Sequence, residues 1–182
     1  MKAFLAALLL PFAALAASPA TSPAPGAAAA RVEAYFTPGD DIAALLAARI
    51  GAARHTVHVQ AYLFTHRALA AALAKAARRG VSVELVGDAS QHAAGGLPVI
   101  AGLARAGVRV WLNGEYAAFH HKVILVDARS SRPVVITGSF NFTSSAQERN
   151  AENVIVVTGD AASARAFLRD FERHRDRASR LQ

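Results

Sequence analysis

Residues 120–127 read HHKVILVD, and residues 137–146 read TGSFNFTSSA. The chain has three lysines, and one of them, Lys122, stands two residues after His120. In an extended segment successive side chains alternate in direction, so His120 and Lys122 share one face and His121 takes the other. By the same rule Ser139 and Asn141 share a face after the turn at Gly138. If 121–127 and 133–138 pair as a hairpin, an imidazole, an ammonium, a hydroxyl and an amide converge on one small anion. A phosphate suits that set. Its non-bridging oxygens take several donors, of which lysine supplies a point charge and serine and asparagine supply neutral hydrogen bonds. A histidine beside it can attack phosphorus or move a proton near neutral pH. Its other ring nitrogen calls for a carboxylate, and Glu152 in NAEN (150–153) is the candidate.

The elements that must position these groups alternate in type. Short apolar runs at 31–36, 56–64, 81–87, 108–112, 121–127, 133–138 and 153–159 read as strands. Residues 38–53, 66–80, 97–107 and 160–180 read as helices, the first with Asp40 and Asp41 near its start and the second stopped by Gly80. Strands alternating with helices, followed by a cluster of strands, predict an α/β fold with a mixed sheet sandwiched by helices. Gly95-Gly96 reads as a loop. No G-x-G-x-x-G or G-x-x-x-x-G-K phosphate loop is present. Gly138 directly precedes Ser139, so the nucleophile-elbow pattern G-x-S-x-G is also missing.

Composition narrows the function classes. The 182 residues suit one domain with a tail, and with 53% hydrophobic residues the chain can bury a core. The absence of cysteine excludes disulfides, thiol catalysis and zinc–thiolate sites. A formal net charge of +7, carried mostly by arginine, favours an anionic partner such as nucleic acid. The first residues combine Lys2 with an apolar run over 3–15 that is short for a bilayer span, followed by small residues. Residues 1–17 are therefore expected to be a signal peptide and 18–30 a disordered Pro/Ala-rich linker, with the folded domain over 31–182 and a periplasmic or secreted location. No stable membrane association is expected after cleavage.

The spacing His120-x-Lys122-x4-Asp127, followed by Gly138-Ser139-x-Asn141, resembles the HKD signature of the phospholipase D superfamily. VEAYFTPGD, VQAYLFT and GSFNFTSSAQERNAEN are similar to segments of its small, single-motif bacterial secreted endonucleases. The resemblance implies that His120 is the nucleophile of a phosphohistidine intermediate, and that Lys122, Ser139 and Asn141 bind the phosphoryl oxygens. It implies that Glu152 orients a histidine. Asp127 completes the catalytic motif, but alternation turns it away from His120, which suits a supporting role. One departure is the ten residues 128–137 between Asp127 and Gly138, where the family has six. ARSSRP (128–133) reads as a longer hairpin tip, with Arg129 and Arg132 expected to face water.

The remaining candidates are less specific. His58, Gln60 and Tyr62 share a strand face and either line the cleft or pack under a helix. His120 and His121 point oppositely, so a shared ion is not expected, and no His/Asp/Glu spacing suggests a metal or other cofactor. The terminal arginines, from Arg165 to Arg180, are expected mostly in water. The expected activity is metal-independent hydrolysis of phosphodiester bonds in DNA or RNA. The alternatives are a phospholipase D acting on lipid head groups and a nucleic-acid-binding module without catalysis. The resemblance also implies a partner: with one H-x-K motif and a mechanism that uses two histidines, a two-fold homodimer sharing one active site is expected.

Overall fold

The structure, a computed structural model, describes residues 29–91 and 97–181. The expected signal peptide, residues 18–28 of the expected linker and the Gly95-Gly96 pair lie outside the described residues. Eight strands form one sheet: β1 (Arg31–Thr37), β2 (Thr56–Ala61), β3 (Ser82–Asp88), β4 (Arg109–Asn113), β5 (Lys122–Val126), β6 (Val134–Gly138), β7 (Glu152–Thr158) and β8 (Ser179–Arg180). The helices are α1 (Ile42–Gly51), α2 (Arg67–Arg78), α3 (Ala89–Gln91), α4 (Leu97–Arg105), α5 (Ser144–Glu148) and α6 (Ala161–Arg175). The strand order is β1-β7-β6-β5-β2-β3-β4-β8. β2, β3 and β4 run parallel, and the other neighbouring strands pair antiparallel. This is the mixed α/β sheet that the alternation of patterns predicts.

Alternation along each strand sorts the core into two layers. Val57, Val59 and Ala61 of β2 join Ile124 and Val126 of β5 beneath Leu46 of α1, Leu69 and Leu73 of α2 and Ile100 of α4. Val123 and Leu125 of β5 face the other way, under Ala164 and Leu168 of α6. Ala164, Leu168 and Phe171 recur at helical spacing, and all three are buried. Removing the Phe171 side chain would cost about 3–5 kcal/mol. Local chemistry sets the helix starts. The Asp41 carboxylate accepts from the Ala44 amide at 2.9 Å, and Asp160 caps α6 through the amides of Ala162 and Ser163.

The terminal helix is shorter than the pattern predicts. It ends at Arg175, and the chain turns back so that Ser179 and Arg180 pair with Leu112 and Trp111 of β4. The arginine-rich run reads as helix by propensity, but unpaired groups on the β4 edge capture its last residues. The strands at 56–64 and 121–127 also shorten, to 56–61 and 122–126. The 62–66 segment leaves the sheet to meet Phe142, whose carbonyl accepts from the Thr65 and His66 amides at 2.9 Å. No helix among the described residues is long and apolar enough to cross a membrane.

Candidate active site

The order of the sheet brings the ends of β2, β6 and β3 and the starts of β5 and β7 to one end of the molecule. His120 precedes β5 and is exposed, whereas Lys122 is only 7% exposed. The Lys122 Nζ lies 3.1 Å from both ring nitrogens of His120 and donates to the His120 carbonyl at 3.1 Å. The Tyr62 ring floors the pair, 4.5 Å from the His120 ring and 4.9 Å from the Lys122 ammonium. Burial lowers the Lys122 ammonium from its ordinary value, and the nearby Glu152 carboxylate opposes that shift. Among the described residues no carboxylate forms an ion pair with Lys122, so a buried cation is left to be met by an anion.

Ser139 and Glu152 stand at the far side of this end. The Ser139 hydroxyl donates to Glu152 Oε2 at 2.5 Å and accepts from the Asn153 amide at 3.0 Å. Asn150 donates to the other Glu152 oxygen at 2.8 Å. Glu152 thus holds Ser139 and is not bonded to a histidine of its own chain among the described residues. Gly138 makes the approach possible. A Cβ there would lie 2.2 Å from the Asn153 carbonyl oxygen, so any other residue forces β6 and β7 apart. Asn141 lies two residues after Ser139, and its side-chain oxygen is buried without a hydrogen-bond partner among the described residues. Lys122 and Gly138 meet at the end of the β5–β6 pairing, one step beyond the Val123–Thr137 pair. His120, Lys122, Ser139 and Glu152 are therefore carried by adjacent strand ends.

Asp127 is not in this group. It lies at the opposite end of β5, where its carboxylate accepts from three successive backbone amides, Arg54 at 2.9 Å, His55 at 2.7 Å and Thr56 at 2.9 Å. Burial pushes this carboxyl up, but the three N–H donors outweigh it and hold it below its ordinary value. Its backbone is left-handed, with φ 48°. The motif's last residue therefore fastens the α1–β2 turn to β5.

His58 and Gln60 point away from His120. They share the α6 face of β2, where the His58 ring packs on Phe171 and Gln60 donates to Asp170 at 3.1 Å. Burial lowers the His58 imidazole from its ordinary value, with the Glu84 carboxylate opposing. Of the three residues on that strand pattern only Tyr62 reaches His120, because β2 has ended and the chain has turned. Arg129 pairs with Glu172 at 2.8 Å and Arg132 is exposed. Of the terminal arginines, Arg173 pairs with Asp170, Arg175 with Glu84 and Asp176, and Arg177 with Glu115.

Two supporting residues escaped sequence reasoning. Buried Asp88, at the end of β3, accepts from the Phe119 amide at 2.6 Å and so anchors the chain one residue before His120. Buried Thr37 accepts from the Glu152 amide at 3.1 Å and donates to the Asn150 carbonyl at 3.0 Å, which fixes the start of β7. Neither has a local signal. Asp88 follows an ordinary strand, and Thr37 lies 115 residues from Glu152.

A mixed sheet thus carries a histidine–lysine pair at one end, with a Gly-Ser turn and a glutamate on the neighbouring strand ends. The family described as "Cardiolipin synthase, PLD-like domain" matches residues 46–175, and the chain belongs to this phospholipase D superfamily. It is 36% identical over 141 residues to a phospholipase D of Rickettsia bellii, covering 78% of this chain and 67% of that protein. It is 37% identical over 123 residues to the human mitochondrial cardiolipin hydrolase, covering 67% of this chain but 46% of that protein. Among solved structures it resembles Nuc from Salmonella typhimurium, a phospholipase D family member. That match has a TM-score of 0.79 and 27% identity, over 85% of this chain and 99% of the other. The chain is thus a hydrolase of phosphodiester type.

Proposed function

We propose that this chain cleaves phosphodiester bonds of nucleic acid through a phosphohistidine on His120, working outside the cytoplasm as a two-fold homodimer. The observation that carries the reading is the buried Lys122 ammonium, held 3.1 Å from the His120 ring without a carboxylate partner among the described residues. A phosphodiester oxygen supplies the missing charge. The bond that forms joins a His120 ring nitrogen to phosphorus, and the bond that breaks joins phosphorus to the leaving oxygen, which takes a proton from a second histidine. Water then attacks phosphorus, returns a proton to that histidine and frees His120. Lys122, Ser139 and Asn141 hold the non-bridging oxygens. The formal charge of +7 favours a polyanion over a neutral lipid.

The second histidine is the reason for the dimer. His58 lies on the α6 face of β2, whereas Lys122 pairs with Ala61 on the opposite face. A copy of His120 from a second chain is the economical acid. The sheet offers a surface for it. α6 packs over β6, β5, β2, β3 and β4, and β1 and β7 keep Val32 and Phe36 more than half exposed beside Ile155. Phe36 pairs with Asn153, whose amide holds Ser139, so this apolar strip runs to the edge of the site.

Mixing subunits tests the proposal. Wild type and His120→Ala are co-refolded, with exchange confirmed by tagged chains, and assayed on plasmid, phosphatidylcholine vesicles and a chromogenic phosphodiester. A shared site predicts activity that follows the square of the wild-type fraction, about one quarter at an equal mixture. A linear curve ends the shared-site mechanism, and cleavage of lipid without cleavage of plasmid ends the nucleic-acid assignment.

A further inference from the structure

Behind the site, on the α6 face of the sheet, lies a second cluster. Asp170 and His174 are four positions apart on α6 and therefore stand one above the other on the helix. His121 reaches them from the chain just before β5. The ligand atoms of the three residues all lie within 4.8 Å of one another. His174 is 5% exposed, and its Nδ1 has no hydrogen-bond partner among the described residues.

We propose that His121, Asp170 and His174 form a binding site for a divalent cation of the zinc type, beside the phosphate site but built on other residues and independent of its nuclease assignment. Two imidazoles and one carboxylate are the ligand set such an ion takes when its fourth position stays open to water. The geometry agrees. Zinc–nitrogen bonds of about 2.0–2.1 Å at tetrahedral angles put two ligating imidazole centroids about 5 Å apart. The His121 and His174 centroids are 5.4 Å apart, with the rings inclined at 50°, so they do not stack.

The surroundings orient the carboxylate of the set. Gln60 donates to Asp170 Oδ2 at 3.1 Å, which orients the carboxylate and leaves Oδ1 turned toward His174 Nε2, 3.5 Å away. The Phe119 ring walls the pair of imidazoles, 4.9 Å from His121 and 5.1 Å from His174. A cavity lined by Tyr116, Phe119, Arg173, His121 and His174 opens beside the two imidazoles, and His120 lines it too, so the cluster borders the phosphate site. The position is already cation-seeking: the Arg173 guanidinium reaches Asp170 Oδ1 and lies 3.4 Å from His174 Nε2. Arg173 is 58% exposed and can swing into water when an ion takes its place. Bound metal would clamp residues 119–121, and with them the backbone of His120, to α6.

The test uses the full chain, freed of metal by chelation and dialysis, and zinc chloride as the probe. Calorimetric titration should give one zinc per chain. At a hundredfold excess over Kd, Tm should rise by about 5–10 °C. His121→Ala and Asp170→Asn should each weaken binding tenfold or more, and Arg173→Ala, which removes the competing cation, should tighten it. Cobalt in place of zinc should show the visible absorption of a tetrahedral ion, lost in His121→Ala. Two results would overturn the site: no stoichiometric zinc uptake by the wild-type chain, or folded His121→Ala and Asp170→Asn proteins that bind zinc as the wild type does.

Discussion

The two ends of β5 carry two halves of one motif and do different work with the same kind of resource, a charged side chain, buried at Lys122 and half-buried at Asp127. At one end Lys122 is a cation with no carboxylate pairing it among the described residues, and it lies against His120. At the other, Asp127 is an anion satisfied by three backbone amides and contacts no group of the site. A buried charge left short of partners is costly to the fold and ready for a ligand, whereas one fully hydrogen-bonded stabilises the turn it closes. The four apolar residues between them, Val123 to Val126, complete the strand that keeps the two apart. A sequence motif can therefore join a chemical group to a folding fastener because one strand has two ends.

The comparison can be broken from either end. The largest effect is expected for His120→Ala, which should lower kcat on plasmid DNA by about 10³-fold or more while binding measured by gel shift survives. Unchanged turnover would remove His120 as nucleophile. Lys122→Met should lower kcat by about 10²-fold or more, yet leave thermal stability equal or higher, because an incompletely paired ammonium is exchanged for an apolar chain of similar length. A clear loss of Tm would mean that Lys122 supports the fold as Asp127 does.

At the other end, Asp127→Ala should cost about 3 kcal/mol in urea unfolding, through the lost charge-assisted bonds to three amides, and leave kcat within a few-fold at a temperature where the protein stays folded. The pH dependence sharpens this. The folded carboxyl titrates below its ordinary value, so the unfolded chain binds the proton first. Its stabilisation is full above the unfolded pKa and is lost as pH falls through the folded one. Asp127→Asn should therefore flatten the acid limb of the stability curve below about pH 5 relative to wild type. An unchanged limb would place the stabilisation elsewhere. The smallest effect is expected for His121→Ala, whose side chain sits on the α6 face. Its kcat should stay within a few-fold of wild type, and a loss as deep as that of His120→Ala would reverse the assignment of faces.

Much of the fold was legible because its signals are local. The apolar strand runs, the aspartates at the start of α1 and the glycine at 80, whose φ is 88°, are read one segment at a time. The parts that were not legible depend on distant partners. β8 is two residues long and exists because β4 offers an edge, and α5 lies in the stretch between 138 and 153, to which the sequence pattern assigns no helix or strand. The pairing of His120 with Lys122 follows from alternation, although His120 itself lies just outside the strand. The engagement of Glu152 with Ser139 could not be read, since a carboxylate near a histidine motif says nothing of which group it will meet.

The order of residues by itself determined the type of chemistry. It puts an imidazole two positions from an ammonium and follows them with a glycine, a serine and an asparagine, and the periodicity of its apolar runs determined an α/β sheet. Tertiary structure decided which of those groups meet. Strand pairing carried Ser139 and Glu152 to the end of the sheet where Lys122 begins β5, and it sent Asp127 to the opposite end. The packing of α6 brought Asp170 and His174 beside His121, a cluster whose members are 49 to 53 positions apart from His121 in the chain. The physical reason is range. Propensity and alternation act over a few residues, whereas a site is assembled by strand register and helix docking, which connect residues a hundred positions apart.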